Sequence, residues 1–220
     1  MLSVWASAAD CPREMPAMPT YTADWFSDHI PLWERLLEPY RGRPHLRFLE
    51  VGSFEGRSAV WLLSNILTHP TSRLYCVDTF EGSDEHREMG LDLSSIYQRF
   101  VANVAPFGDR VRVLRGPSQR VLRSRRLRSA SLDFAYIDGS HRARDVLEDA
   151  VLVYRLLRPG ALLIFDDYGW QPERDETARP QLAIDAFLSV YRGAYVLLHQ
   201  GYQVAIVKAF EAAAGAAGVP

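Results

Sequence analysis

Phe48-Leu49-Glu50-Val51-Gly52-Ser53-Phe54-Glu55-Gly56-Arg57-Ser58 is the stretch from which the rest of the chain can be read. Phe48, Leu49 and Val51 supply the short apolar run of a buried parallel strand. Gly52 and Gly56 lack a Cβ, so the backbone can turn sharply there and approach a ligand closely. Ala59, Val60, Trp61, Leu62 and Leu63 continue as a helix whose free N–H groups point back at the turn. The spacing is Glu-x-Gly-x-x-x-Gly, not the Gly-x-Gly-x-x-Gly of dinucleotide binders. Alone, the stretch is also compatible with a plain strand-to-helix turn.

Downstream, apolar strands alternate with helical segments. Arg73 to Asp78 reads as a second strand ending in a carboxylate. An acid about 20 residues past a glycine turn is where a ribose diol is gripped in Rossmann-like sites, although Asp78 alone could be a surface turn residue. Thr79 to Leu91 is polar and glycine-containing, which favours a solvated loop over a flap; His86 is a minor catalytic candidate there. A helix over Ile96–Val104 ends at Pro106 and Gly108. Val111 to Arg115 is a third strand, followed by Gly116-Pro117-Ser118-Gln119, whose hydroxyl and amide suit a purine edge. Leu132 to Asp138 is a fourth strand, and a helix from Arg142 to Leu157 stops at Arg158-Pro159-Gly160. Ala161 to Asp167 is a fifth strand, Pro180 to Tyr191 a last helix, and Tyr195–Leu198 with Gln203–Val207 a closing hairpin. This pattern is an α/β, Rossmann-like doubly wound sheet, mostly parallel with a late antiparallel strand. Ligands bind such sheets beyond the carboxyl ends of the strands, where Gly52, Asp78, Ser118, Asp138 and Asp166 all fall.

Upstream, residues 1–20 read as a flexible arm. Residues 21–44 are rich in aromatics, with Trp25, Phe26 and Trp33, and read as a helical lid segment or as helices packed on the sheet edge; Asp24 or Ser27 suits a cap and Pro31 a helix start. Residues 45–210 form the main α/β domain and 211–220 a frayed tail. At 220 residues, 48% hydrophobic and net charge -2, the chain suits one globular domain with no general pull toward nucleic acid or anionic membranes. Arg120, Arg123, Arg125, Arg126 and Arg128 lack the interleaved aromatics of single-strand binders and read as a solvated helix face. Cys11 and Cys76 are too far apart in context to imply a disulfide framework or zinc site. No membrane span or signal peptide is evident, so a cytoplasmic location is expected.

Asp138 ends one strand and Asp166-Asp167 another, so three carboxylates converge if those strands are neighbours. Carboxylates that close repel and need a cation, shared protons or separation. Hard oxygen ligands suit Mg²⁺, and Mn²⁺ fits as well. A cap, or a pair with Arg142 or Arg174, is the alternative for the acidic pair.

The glycine turn resembles the first motif of the class I S-adenosylmethionine-dependent methyltransferases, in which it holds the methionine part of the cofactor. Gly116-Pro117-Ser118-Gln119 resembles the adenine-side loop of catechol O-methyltransferase-type enzymes. Tyr136-Ile137-Asp138-Gly139-Ser140-His141, Leu156-Leu157-Arg158-Pro159-Gly160 and Phe165-Asp166-Asp167-Tyr168 are similar to the macrocin O-methyltransferase-like small-molecule O-methyltransferases, over roughly Phe48 to Tyr168. The resemblance implies S-adenosylmethionine held by Glu50, Gly52, Ser53, Gly56, Ser58, Asp78, Thr79, Gly116, Ser118, Gln119 and Asp138. It implies a divalent metal, Mg²⁺ or Mn²⁺, on Asp138, Asp166 and Asp167. Catechol-type enzymes carry Asp-x-x-Lys where this chain has Asp138-Gly139-Ser140-His141, so His141 replaces the lysine base. Imidazole accepts a proton near neutrality, which makes His141 with Asp138 the catalytic pair, although His141 could instead cap the helix or orient the metal. The expected reaction is O-methylation of a small molecule, a sugar or polyketide-like ring. A metal-independent methyltransferase, or a non-methylating member of the fold, is the alternative. Trp25, Phe26, Trp33, Tyr168 and Trp170 hint at an aromatic-walled pocket, and the N-terminal segment could serve a homo-oligomer as well as a lid.

Overall fold

The structure is a computed structural model that describes residues 18–171 and 173–210. The expected arm, apart from its last three residues, and the tail lie outside the described residues, as does Cys11. The strands are β1 (Arg47–Val51), β2 (Arg73–Asp78), β3 (Val111–Arg115), β4 (Leu132–Ile137), β5 (Leu157–Phe165), β6 (Tyr195–Gln200) and β7 (Val204–Lys208). They form one sheet among the described residues, in the order β3-β2-β1-β4-β5-β7-β6. Pairing is parallel from β3 to β5, while β7 runs antiparallel to both β5 and β6. The chain winds outward from β1 to β3, then returns to place β4 on the other side of β1. That reversal leaves a crevice between β1 and β4, the switch point at which such sheets bind ligands.

Side chains alternate across each strand, and the sheet is apolar on both faces. Leu49, Val51, Ala135, Ile137, Leu163 and Phe165 pack with α6 (Ala143–Leu156) and α7 (Pro180–Val190) through Val146, Val153, Ile184 and Phe187. Phe48, Cys76, Phe134, Tyr136, Leu162 and Ile164 face the other way, against α1 (Ile30–Leu37), α2 (Arg57–Asn65) and α4 (Ile96–Val104) through Trp33, Leu37, Leu62 and Phe100. Neither Asp24 nor Ser27 is the N-cap of α1, a place taken by His29 without a side-chain cap bond; Asp24 Oδ1 instead accepts the N–H groups of Phe26 and Ser27 at 3.2 and 3.0 Å, in the turn ahead of the helix.

Three further local expectations change. Asp84–Glu88 is a short helix, α3, not loop, because Ser83 and His86 cap each other's backbone N–H groups. Arg158-Pro159-Gly160 does not separate helix from strand; α6 runs directly into β5, and the register shift between Leu132 and Phe134 absorbs these residues. Only Arg120 of the arginine run lies in a helix, α5 (Ser118–Leu122); Arg123, Arg125, Arg126 and Arg128 sit on the exposed turns beyond it. No described helix is long and apolar enough to cross a membrane.

Candidate active site

The glycine turn lies at the switch point. Gly52 has φ +83°, and a Cβ on it would sit 1.9 Å from the Asp138 carbonyl oxygen, so only glycine lets the ends of β1 and β4 approach this closely. Gly56, at φ +81°, precedes α2 and packs against the Phe100 ring. Glu50 is fully buried behind the turn, where its oxygens accept the hydroxyls of Ser53 and Ser58 at 2.6 and 2.5 Å. Burial raises its pKa to about 7, against the opposing pull of those two hydroxyls. Asp78, at the end of β2, accepts three backbone N–H groups: Ser53 at 2.6 Å, Phe54 at 2.8 Å and Phe80 at 2.7 Å. An ionised carboxylate offers about four acceptor sites, so Asp78 braces the turn and keeps little capacity for a ligand.

A cavity of about 930 Å³ runs along the strand ends. Gly116, Ser118 and Gln119 line it beyond β3, Asp78 and Thr79 beyond β2, and Gly52, Ser53 and Ser58 beyond β1. Asp138 and His141 follow beyond β4, then Asp166 and Asp167 beyond β5. The opposite wall is the segment leading into α1, which contributes Tyr21, Asp24, Trp25, Phe26, Asp28 and His29. Glu55 fastens this strap. It is 1% exposed and accepts the Thr22 N–H at 2.6 Å, the Thr22 hydroxyl at 2.8 Å and Arg99 Nε at 2.5 Å. Asn103 bonds Thr20 in both directions at 2.9 Å. His86 stacks on Trp25 at 5.2 Å between ring centroids and meets Phe54 at 4.7 Å, joining the strap to α3.

At the far end three carboxylates share few protons. The Tyr136 hydroxyl is placed to donate to Asp138, at 3.0 Å, and to Asp166, yet it carries one proton. Asp166 is further held by Gln203 Nε2 at 3.1 Å and by the Asp167 N–H at 2.7 Å, and His29 Nε2 stands 3.9 Å away. Asp167, at φ +57°, accepts the Tyr202 hydroxyl at 2.8 Å and faces His141 Nε2 at 2.9 Å. Burial, and then the charges of Asp166 and Asp167, hold the Asp138 carboxyl well above the usual carboxylate range. Burial and the neighbouring Asp167 likewise raise Asp166. For His141 burial alone would lower the pKa, but the Asp167 carboxylate reverses this and leaves it raised.

Asp138, His141 and Asp167 offer ligand atoms within 4.8 Å of one another, an arrangement that can hold a metal ion. Asp166 stands outside this group, its oxygens directed at Tyr136, Gln203 and the Asp167 N–H. Of the expected site residues, Gly52, Ser53, Ser58, Asp78, Thr79, Gly116, Ser118, Gln119, Asp138, His141, Asp166 and Asp167 share the one cavity, whereas Glu50 and Gly56 shape the turn from behind it. Trp25, Phe26 and Trp170 line the cavity; Trp33 is buried in the core and Tyr168 bonds Asp185 at 3.0 Å. Arg57, His29 and Tyr202 also line it, and sequence reasoning did not single them out. His29 and Tyr202 stack at 5.6 Å although they come from opposite ends of the chain.

A turn of this spacing at the switch point, with acids ending the neighbouring strands, defines the class I S-adenosylmethionine-dependent methyltransferase fold. A family model described as a methyltransferase domain matches residues 49–168, more than half of the chain, and the chain belongs to that family. No curated protein matches the sequence. Among solved structures, the O-methyltransferase TomG from Streptomyces achromogenes, in complex with S-adenosylmethionine, superposes with a TM-score of 0.60 at 19% identity, over 82% of this chain and 80% of TomG. An O-methyltransferase from Bacillus cereus in complex with S-adenosylhomocysteine gives 0.61 at 19% identity, over 86% and 84%. MycE, a methyltransferase of the mycinamycin pathway in complex with Mg and S-adenosylhomocysteine, gives 0.54 at 19% identity, over 81% of this chain and 48% of MycE.

Proposed function

We propose that the chain transfers the methyl group of S-adenosylmethionine to a hydroxyl oxygen of a small molecule with the help of a divalent cation, Mg²⁺ or Mn²⁺. The observation that carries this reading is that one cavity joins the glycine turn to the Asp138–His141–Asp167 cluster. Its 930 Å³ has room for the cofactor and a small acceptor. Ser118 and Gln119 offer partners for the adenine, Thr79 and the remaining capacity of Asp78 for the ribose, and Gly52, Ser53 and Ser58 line the amino-acid end. The cofactor would supply an electrophilic sulfonium methyl there, and a cation held by Asp138 and Asp167 would supply Lewis-acid charge that favours the ionised acceptor oxygen.

The donor set fits a cation. One tyrosine proton serves two carboxylates, the half-buried Asp138 and the buried Asp166, so the cluster is short of positive charge. Asp138 and Asp167 present the ligand oxygens, while Asp166, held by Tyr136, Gln203 and the Asp167 N–H, keeps its neighbour in place. MycE, the neighbour solved with Mg, supports the same assignment. Asp167 orients His141 through Nε2, and Nδ1 is buried without a hydrogen-bond partner among the described residues. With Nε2 engaged by Asp167, the nitrogen left to accept the hydroxyl proton is Nδ1, which is sealed from the cavity and faces Glu85 Oε1 at 3.9 Å, so the imidazole must turn to reach the acceptor. Within the family, the Asp138-Gly139-Ser140-His141 and Phe165-Asp166-Asp167-Tyr168 segments favour a macrocin O-methyltransferase-like enzyme acting on a sugar or polyketide-like hydroxyl.

The test follows a labelled methyl group from S-adenosylmethionine into a panel of hydroxylated small molecules, with Mg²⁺ and then with EDTA. Transfer to oxygen that EDTA abolishes is the expected result. His141→Ala should lower kcat by about 10²- to 10⁴-fold and leave metal affinity intact. Transfer insensitive to EDTA would instead mark a metal-independent methyltransferase, and lost metal affinity in His141→Ala would make the imidazole a ligand.

A further inference from the structure

Arg57 is the first residue of α2 and lines the cavity beside Gly52 and Ser53. Its surroundings come from the strap. The guanidinium lies 4.8 Å from the centre of the Tyr21 ring, Nη2 pairs with Asp24 Oδ2 at 2.5 Å, and the same Nη2 donates to Ser27 Oγ at 3.2 Å. Among the described residues both polar partners thus take Nη2, and Nε and Nη1 are left over. A guanidinium has five N–H donors in a rigid fork; the free Nε–H and Nη1–H point to different sides of it, so each offers a carboxylate one charge-assisted hydrogen bond. Tyr21 and Asp24 fix the plane of that fork, so little rotamer freedom remains to be lost when a ligand arrives.

The order of the strands says which end of the cofactor lies there. Adenine-side residues follow β3, the ribose acid follows β2, and Arg57 stands over the end of β1, one strand further along the same line. An extended S-adenosyl ligand laid along that line has its amino-acid end at Arg57. We infer that Arg57 binds the α-carboxylate of the cofactor, and that Asp24 and Ser27 of the strap are positioning residues that hold the guanidinium for it. This rests on the S-adenosylmethionine reading above and assigns one side chain of this chain to one functional group of that ligand.

The strap acquires a role with it. Asp24 sits between two fixed points, the Glu55–Thr22 seam and α1, so the guanidinium is held from a segment anchored at both ends. Cofactor affinity is then coupled to how well the strap is seated, without Asp24 touching the cofactor.

Two ligands separate this from a general structural role. S-adenosylhomocysteine carries the amino-acid end; 5′-methylthioadenosine shares the adenosine and thioether and lacks it. Calorimetric titration of the purified full chain with each should give much tighter binding of S-adenosylhomocysteine. Arg57→Gln should weaken S-adenosylhomocysteine about tenfold to a hundredfold, the range for one hydrogen bond between charged groups, and leave 5′-methylthioadenosine unchanged. Arg57→Lys should recover part of the loss and serves if Arg57→Gln does not fold. Asp24→Asn should show the same selectivity at a few-fold size. Equal weakening of both ligands, or of neither, would overturn the assignment while leaving the methyltransferase reading in place. A folded wild-type chain that binds neither ligand would remove that reading and this inference together.

Discussion

The turn after β1 and the mouth formed by β4 and β5 each gather three carboxylates, and they treat them in opposite ways. Around the turn every acid has its own donors. Glu50 has two hydroxyls, Asp78 three backbone N–H groups, and Glu55 a threonine and an arginine. At the mouth, Asp138 has only the proton of Tyr136, which it shares with Asp166; Asp166 also takes Gln203 Nε2 and the Asp167 N–H, and Asp167 depends on Tyr202 and His141. The first set is satisfied by the chain and holds a loop in shape. The second is left short, at a cost in folding stability that a bound cation would offset. A carboxylate's neighbours, not its place at a strand end, separate a brace from a candidate ligand.

Isosteric amides at matched positions sharpen this contrast. The largest effect is expected for Asp138→Asn: cation binding lost by calorimetry, and turnover down about a thousandfold, or about 4 kcal/mol of barrier. The same variant should be more stable to urea than the parent by about 1 kcal/mol at pH 8 without divalent cation, because one of three crowded charges is gone. A loss of stability there would place Asp138 with the structural acids.

Glu50 carries the next effect, seen against pH. The unfolded chain releases this proton near 4.5 and the folded chain near 7. Its contribution is therefore present in full below pH 4.5 and is lost as pH rises through 7, a change of about 3 kcal/mol over that window. Glu50→Gln should remove that slope from urea unfolding measured between pH 5 and 8; an unchanged slope would mean that Glu50 is ionised throughout. The smallest effect is expected for Glu55→Gln, which leaves Arg99, 19% exposed, with only the Asp92 carboxylate at 3.9 Å as counter-charge and should cost about 2 kcal/mol. Protection of the Thr22 amide from hydrogen exchange should fall in the same variant, since the strap hangs from that bond.

Much of the fold was legible because it is local. Apolar runs of strand length, glycines where a Cβ cannot fit and acids just past strand ends are all written within a few neighbouring residues. The site was legible to the extent that strand ends are, which is why Asp78, Asp138, Asp166 and Asp167 arrive in one cavity. What the sequence hid is set by contacts distant along the chain. Nothing near Asp78 tells that the N–H groups of Ser53 and Phe54, a strand and a helix earlier, occupy it. Asp166 and Asp167 are adjacent and look interchangeable, yet the first faces Tyr136 and Gln203 and the second faces His141. Arg57 passes for an ordinary first-turn residue until the strap is seen to lie across it.

Trp33 is buried in the core, edge-on to the Tyr136 ring at 4.7 Å, and its indole Nε1 donates to Gln203 Oε1 at 2.9 Å. The other end of that amide, Nε2, holds Asp166. Two relays, one through a ring and one through an amide, therefore connect this indole to the acidic mouth. A cation settling there would change the electric field at the indole, so Trp33 emission, together with that of Trp25 and Trp170 in the cavity wall, is expected to respond to occupancy of the site without an added label.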